Sequence, residues 1–310
     1  MPALALALAS GSAGWRRSLN LASAELVPAP VLALVRGRVQ AAVLDLHDHP
    51  VLQADALGID LPVERRRYLD RLFERNVAAF THLSVPSRSF AELCGLPAAR
   101  IVVVPNGTDA GRITPRPEPS EPVVAMVSGA APGRGIELLL SAVARVRAEI
   151  PETTLRLALS ATGPGSAAYL SGLAPRLHGT TWVSVHQVPY EGLGTFLGGA
   201  SVLAVPHPPD PYLDVATPVK LFDSMAAGRA VAVTPRLETR RIVEEWRAGV
   251  VAAGDRPDDL AEAIGSLLRS DSLRRTLGEN ARRCAVERYD WGVLSAGLAD
   301  AVLADAVLAG

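Results

Sequence analysis

Thr217-Pro218-Val219-Lys220-Leu221-Phe222-Asp223-Ser224-Met225-Ala226-Ala227-Gly228-Arg229-Ala230-Val231-Ala232-Val233-Thr234 is the stretch that decides how this chain is read. Leu221, Phe222, Met225 and Ala226 recur at helical spacing and predict a short helix with one apolar stripe. Thr217 suits its N-cap and Pro218 its first helical position. Gly228 suits the position just past the helix end. Ala230 to Val233 then reads as a buried strand. The first N–H groups of a helix have no partner within it and attract anions. Val219 and Asp223 lie four apart and share one face, roughly 6 Å from each other. A diphosphate at the helix start and a ribose hydroxyl pair on Asp223 fit that distance.

Strand and helix signals alternate on both sides of this unit, the sign of an α/β protein with parallel sheets. Strands are expected at Gln40 to Leu46, Leu83 to Val85, Ile101 to Val104, Val123 to Ser128, Leu155 to Leu159, Trp182 to Val188 and Val202 to Val205. Helices are expected at Val63 to Phe80, Ser87 to Leu93, Ile136 to Ile150, Tyr190 to Leu197, Asp258 to Leu268, Leu273 to Arg288 and Trp291 to Leu308. Gly163 and Gly165 fall in a turn. The Pro-, Glu- and Ser-rich stretch Thr114 to Pro122 has the composition of an exposed linker. It divides the chain into a first domain over 1–113 and a second over 114–290, with a closing helix over 291–310.

At 310 residues and 49% hydrophobic content the chain has room for two domains with real cores. A net charge of −1 gives no electrostatic case for nucleic acid or for an anionic membrane. Cys94 and Cys284 match no metal or redox spacing and read as reduced thiols of a cytoplasmic protein. No apolar run approaches the ~20 residues that span a bilayer, so any membrane contact is expected to be peripheral only. The start, Met1-Pro-Ala-Leu-Ala-Leu-Ala-Leu-Ala-Ser10, looks like a signal core without a basic leader, and a buried strand suits it better.

Pro218-x-Lys220-x-x-Asp223-x-Met-Ala-Ala-Gly-x-x-Val231 resembles the retaining nucleotide-sugar glycosyltransferases of family four, the group 1 glycosyl transferases. Four further segments resemble that family in the same order. His82 to Leu93 is similar to its strand-Ser-helix step, and Val104-Pro-Asn-Gly-Thr-Asp109 to its Pro-Asn-Gly-x-Asp segment. Gly129 through Arg134-Gly-Ile136 is similar to the loop that opens its second domain, and Tyr289-Asp-Trp291 to the step into its final helix. The resemblance covers roughly residues 40 to 295. It implies the GT-B fold, with two Rossmann-like domains facing a cleft, the first here short or truncated. It also implies transfer of a sugar from a nucleotide-diphosphate sugar donor to an acceptor (a glycan, a lipid or a small molecule), with retention of configuration and no cofactor. Many members work without a metal, and the second domain here has no Asp-x-Asp.

Carried onto this chain, the resemblance implies that Asp223 holds the ribose, where the family has Glu. Val219 and Lys220 would meet the distal phosphate, with Pro218 and Thr217 setting the helix start. Arg134 takes the place of the family's loop lysine, and Arg is a competent phosphate binder through its forked donors. Gly129 suits a close approach of backbone to ligand. The spacing Gly129-x-x-x-Gly133-x-Gly135 is wrong for a dinucleotide fingerprint, so NAD is not expected. His186 to Val188 ends a strand where this fold presents backbone to the base. His47 or His49, with His47 favoured, would be the catalytic histidine of the cleft. His-Asp-His is wrongly spaced for metal ligands on one helix face. Asn106 and Gly107 read as a turn.

Two positions depart from the family. Its second acid would fall at Val215, which cannot do that work, leaving Asp214 as the sugar contact in its place. Its second phosphate cation would fall at Ala130. The first domain also reaches Leu46-His-Asp in about half the usual distance, with Gly11 to Gly14 as a makeshift glycine loop. A late start, a compact first domain, and loss of acceptor binding all fit. The alternatives are therefore a glycosyltransferase and a catalytically impaired relative acting as nucleotide-binding scaffold or partner subunit. A GT-B epimerase or phosphorylase stands third, since no cofactor-lysine signature is present.

Overall fold

Every strand pair in the computed structural model is parallel, and the strands fall into two sheets. The structure describes residues 20–22, 43–161 and 165–298. The strand expected at the chain start, the Gly11 to Gly14 turn and Gly163 lie outside these residues. Contacts divide the chain into two units, changing over at Asn106/Gly107 and again at Trp291/Gly292. The first changeover precedes the proline-rich stretch instead of falling at residue 114. Residues 107–113 go with the second unit because they are tied into it. Thr108 N–H donates to the Tyr289 carbonyl at 2.8 Å, and Trp291 N–H to the Thr108 carbonyl at 3.0 Å. Ile113 is buried in the same core cluster as Phe196 and Leu197.

In the first unit, β1 (Asn20–Ala22), β2 (Val43–Asp45), β3 (His82–Val85) and β4 (Ile101–Val103) lie side by side in chain order. The connecting helices are α1 (Pro50–Ala56), α2 (Val63–Ala79) and α3 (Arg88–Leu93). Leu69, Phe73 and Asn76 are the buried positions of α2 and recur at helical spacing, so the arginine-rich remainder faces water. Ser87 caps α3 by accepting from Phe90 N–H at 2.9 Å.

The second unit holds six strands: β5 (Val123–Gly129), β6 (Thr154–Ser160), β7 (Val183–His186), β8 (Val202–Val205), β9 (Val231–Val233) and β10 (Gly249–Val251). Their order across the sheet is β10-β9-β8-β5-β6-β7. The chain therefore builds outward from β5 in one direction, returns to β8, and builds outward in the other. Alternate residues serve opposite faces, as the period of a strand requires. Val123, Ala125, Leu203, Val205, Val231 and Val233 enter one core. Val124, Met126, Val202, Ala204 and Ala232 enter the other. Both faces are covered, which is why these strands read as unbroken apolar runs.

Helices of this unit are α4 (Ile136–Glu149), α5 (Ser166–Leu177), α6 (Leu193–Gly198), α7 (Pro211–Val215), α8 (Val219–Ala226), α9 (Leu237–Trp246), α10 (Pro257–Leu268) and α11 (Asp271–Arg288). Residues 291–298, all but the first of which belong to the first unit, are also helical. The helix start expected at Thr217 is shifted. Pro218 is extended, with φ −70° and ψ 130°, and occupies the N-cap without a side-chain cap bond, so Val219 is the first helical residue. Its fixed φ is already that of a helix entry while its ψ stays extended, which delays the turn by one residue. At the other end Gly228 takes φ +70°, as expected just past a helix.

Candidate functional site

In a sheet wound outward from its centre, the loops after the two central strands leave in opposite directions and open a crevice at the strands' carboxyl ends. Here those strands are β5 and β8. The loop after β5 carries Gly129 to Gly135, the segment after β8 begins Pro206-His207, and α8 starts after that segment.

Gly135 fixes how these loops meet. Its φ is +77°, and a Cβ on it would sit 1.7 Å from the Pro206 carbonyl oxygen. Only glycine permits that approach. The loop is thereby pressed against the end of β8, and Arg134 comes near Lys220 and His207, whose ionisation it opposes. Lys220 projects from the first turn of α8, where its ammonium donates to Ser128 Oγ at 3.3 Å. Burial pushes this ammonium down to about 7, and the charge of Arg134 adds to the effect. At the helix start, Leu221 N–H already closes a turn onto the Pro218 carbonyl at 2.9 Å. The N–H groups of Val219 and Lys220 are those the helix itself does not use.

One turn along α8, Asp223 is 6% exposed. Its Oδ1 accepts from Thr108 Oγ1 at 2.7 Å. Burial raises the carboxyl to about 6, and the Thr108 bond works against that rise. Tyr190 lies close enough that burial and the charges of Asp223 and Asp109 push its phenol up. The Arg112 guanidinium sits 5.3 Å from the centre of the Tyr190 ring.

The structure thus brings Gly129, Arg134, Val219, Lys220 and Asp223 to the carboxyl end of one sheet, and the space where a Cβ on Gly129 would sit is open. Thr217 is buried beside the helix start, and Pro218 caps it. His186 ends β7, two strands away from β5. Its ring is engaged with Ser184 Oγ at 2.8 Å and lies edge-on to Phe196 at 5.6 Å. Val188 packs against the core. What this segment offers a ligand is therefore backbone. Asp214 forms an ion pair of 2.9 Å with Arg236 Nη1 and stays partly exposed. Val215 and Ala130, where the family carries an acid and a cation, are both buried.

Four residues at this site escape a reading of the sequence: Ser128, Thr108, His207 and Arg236. His207 is 1% exposed, and among the described residues neither ring nitrogen has a hydrogen-bond partner. Burial holds its imidazole well below the ordinary histidine range, and the charges of Lys220, Arg134 and Arg236 reinforce this. The available signal was positional, an ionisable residue two positions past the end of the apolar strand Val202–Val205.

In the first unit, His47 follows β2 and its Nε2 lies 2.9 Å from Asp45 Oδ2. The hydrogen bond with Asp45 raises its pKa, burial opposes this, and the charges of Asp45 and Asp48 and a bond with Asn106 add to the rise. Asn106, expected only to shape a turn, thus helps hold this ring. His49 has a local role. Its Nδ1 accepts from Leu52 N–H at the start of α1, at 3.4 Å, and its ring packs 4.3 Å from that of Phe73. Among the described residues no group of three or more His, Cys, Asp or Glu side chains gathers as a metal site would need. No helix among them is long and apolar enough to cross a membrane.

Residues 121–270 match the family model described as glycosyl transferases group 1. Phosphatidyl-myo-inositol mannosyltransferase of Mycobacterium tuberculosis is 28% identical over 205 residues, 63% of this chain and 52% of that protein. The chain thus spans about half the length of this relative. Sucrose-phosphate synthase of Thermosynechococcus elongatus superposes with a TM-score of 0.71 at 20% identity, over 89% of this chain and 70% of that one. Anabaena HepE, solved in complex with UDP-glucose, superposes with a TM-score of 0.66 at 18% identity, over 86% and 72%. With its switch-point crevice and this match, residues 121–270 form a group 1 glycosyltransferase domain, and the chain that carries it has the GT-B fold.

Proposed function

We propose that this chain takes part in moving a sugar from a nucleotide-diphosphate sugar to an acceptor, and that its second unit is the donor-binding half. The observation that carries this is Lys220 beside Arg134 at the carboxyl end of β5 and β8, with Asp223 one helical turn beyond. Among the described residues Lys220 makes no bond to a carboxylate. Burial, with the charge of Arg134 adding to it, lowers the Lys220 ammonium to about 7, and a ligand that brings negative charge is favoured there. A diphosphate supplies it. Asp223, its Oδ1 held by Thr108, suits the hydroxyl pair of a ribose. Tyr190, exposed beside that acid, is an aromatic ring within reach of a base.

In transfer, the bond between the sugar and the diphosphate breaks and negative charge grows on the departing phosphate. Lys220, Arg134 and the N–H groups at the start of α8 oppose that charge in a setting partly shielded from water, where such interactions are strongest. No second-domain Asp-x-Asp is available to recruit a metal for this purpose, which supports a metal-independent scheme. We assign the catalytic histidine to His47, held by Asp45 and Asn106, because His49 is committed to capping α1. Retention of configuration rests on the family resemblance.

A second reading is favoured by Val215 and Ala130, whose burial leaves no acid and no second cation at those points. It is a nucleotide-binding relative that does not transfer. Thermal shift with UDP and GDP, combined with hydrolysis of UDP-glucose and GDP-mannose, separates the two. Binding with turnover supports transfer, and binding without turnover supports the scaffold. Absence of any nucleotide diphosphate binding rejects the donor site.

A further inference from the structure

His207 is a buried imidazole with both ring nitrogens lacking a partner, at the end of β8 and beside the crevice. Buried polar groups are as a rule hydrogen-bonded, and an exception calls for a physical account. Its backbone is well held, since Thr234 Oγ1 donates to the His207 carbonyl at 2.6 Å. The ring alone is left over. Three cations face it from three different segments: Lys220 from α8, Arg134 from the loop after β5, and Arg236 from the segment after β9. Arg236 is answered by Asp214 and Asp255, yet its Nε also lacks a partner. Among the described residues the Lys220 ammonium donates to the hydroxyl of Ser128 alone. In such company the ring stays neutral and offers one N–H and one lone pair.

We propose that His207 donates to the anionic group that fills this crevice, and that its ring takes up a proton from solvent as that anion enters. The inference rests on the donor-site reading above. A diphosphate brings two or three negative charges among the cations that add to the burial keeping the imidazole neutral. The repulsion of a ring proton by those cations is then offset, and the protonated ring has two N–H donors for phosphate oxygens. The neighbouring Lys220 responds in the same direction. Binding of a nucleoside diphosphate is therefore linked to net proton uptake, and affinity falls as pH rises through the neutral range. Loss of the diphosphate after transfer releases the proton again.

The test uses the full chain with UDP, GDP and inorganic pyrophosphate. Calorimetry in two buffers of different ionisation enthalpy counts the protons taken up, and 15N-histidine NMR follows the His207 ring directly. The expected result is proton uptake on binding, with the His207 signal moving from neutral to protonated at saturation. His207→Asn and His207→Gln are expected to take up fewer protons and to bind about tenfold or more weakly. Their ligand-free melting temperatures are expected to be unchanged or higher, because the ring makes no hydrogen bond in the ligand-free protein. If UDP or GDP binds while the ring stays neutral and both variants keep the wild-type proton count, this inference fails and the donor site stands. If His207→Asn does not fold, the NMR titration of the wild-type ring alone decides. If neither nucleotide nor pyrophosphate binds, both readings fail together.

Discussion

Thr108 Oγ1 donates to Asp223 Oδ1 across 2.7 Å, joining the Pro-Asn-Gly-Thr-Asp turn to a helix 115 residues further along. The bond holds one carboxylate oxygen and leaves Oδ2 without a hydrogen bond among the described residues. A buried acid with one oxygen fixed and one available is preorganised for a bidentate hydroxyl pair.

Removing that donor tests the arrangement. Thr108→Val keeps the shape of the side chain and deletes the hydroxyl. The hydrogen bond favours the ionised carboxylate, so its loss raises the Asp223 pKa further above about 6. UDP affinity is expected to drop about five- to twentyfold at neutral pH, while pyrophosphate, which has no ribose, binds as before. Equal losses for both ligands would place the effect on the fold instead of the ribose contact.

Asp223→Asn separates stability from binding. The folded-state pKa lies above the ordinary carboxylate value, so the acid's contribution is fully present below about 4 and is lost as pH rises through about 6. The wild-type carboxylate therefore costs stability at pH 7.5. Asn keeps an acceptor for Thr108 without the buried charge. Urea melts at pH 7.5 are expected to show the ligand-free variant more stable by about 1–3 kcal/mol, with the gap closing at pH 4. UDP binding is expected to weaken at least tenfold in the same variant. A variant that is destabilised at both pH values would contradict the assignment.

The fold was largely legible because most of its strands are buried on both faces, and a doubly covered strand such as Val202–Val205 announces itself as an apolar run. Helices α1, α5, α7 and α9 and strands β1 and β10 were not foreseen. In α9 only Ile242 and Val243 among the large apolar residues are buried, and β10 is three residues long. At the site, Lys220 and Asp223 were legible because helical spacing places them. Thr108, His207 and Arg236 were not, because their roles arise where loops from distant strands meet. Asp214 could be placed beside the crevice from sequence, but its partner Arg236 lies beyond another strand and gave no local sign. Family position alone left His47 and His49 open, and their different partners are a matter of three dimensions.

Gly135→Ala tests the approach of the two loops. The added Cβ would collide with the Pro206 carbonyl, and φ +77° is itself unfavourable for alanine. Both effects act on the backbone, which cannot yield as a flexible side chain can. The expected loss is on the order of 3 kcal/mol or more of stability, read by urea melts. Where folded protein remains, pyrophosphate binding weakens because Arg134 is carried away with the loop. Wild-type stability would mean that the loop does not rest on Pro206 in solution.

His47 is the test of the first unit. Asp45 is the largest cause of its raised pKa, and burial works in the opposite direction. In Asp45→Asn the carboxylate disappears while the burial remains, so the His47 pKa is expected to fall, followed by NMR of the ring. The sign for stability follows from the same shift. A histidine whose folded pKa lies above 6.5 adds stability that is fully present below that value and fades as pH rises through the folded value. Asp45→Asn is therefore expected to lower stability at pH 5.5 and to change it much less at pH 8. If His47 serves transfer, sugar transfer by the same variant also shifts its pH profile to lower pH by the amount the ring shifts, while UDP affinity, which belongs to the second unit, does not move. A pH profile that ignores the change in the ring would remove His47 from the reaction and leave it as a partner that orders the end of β2.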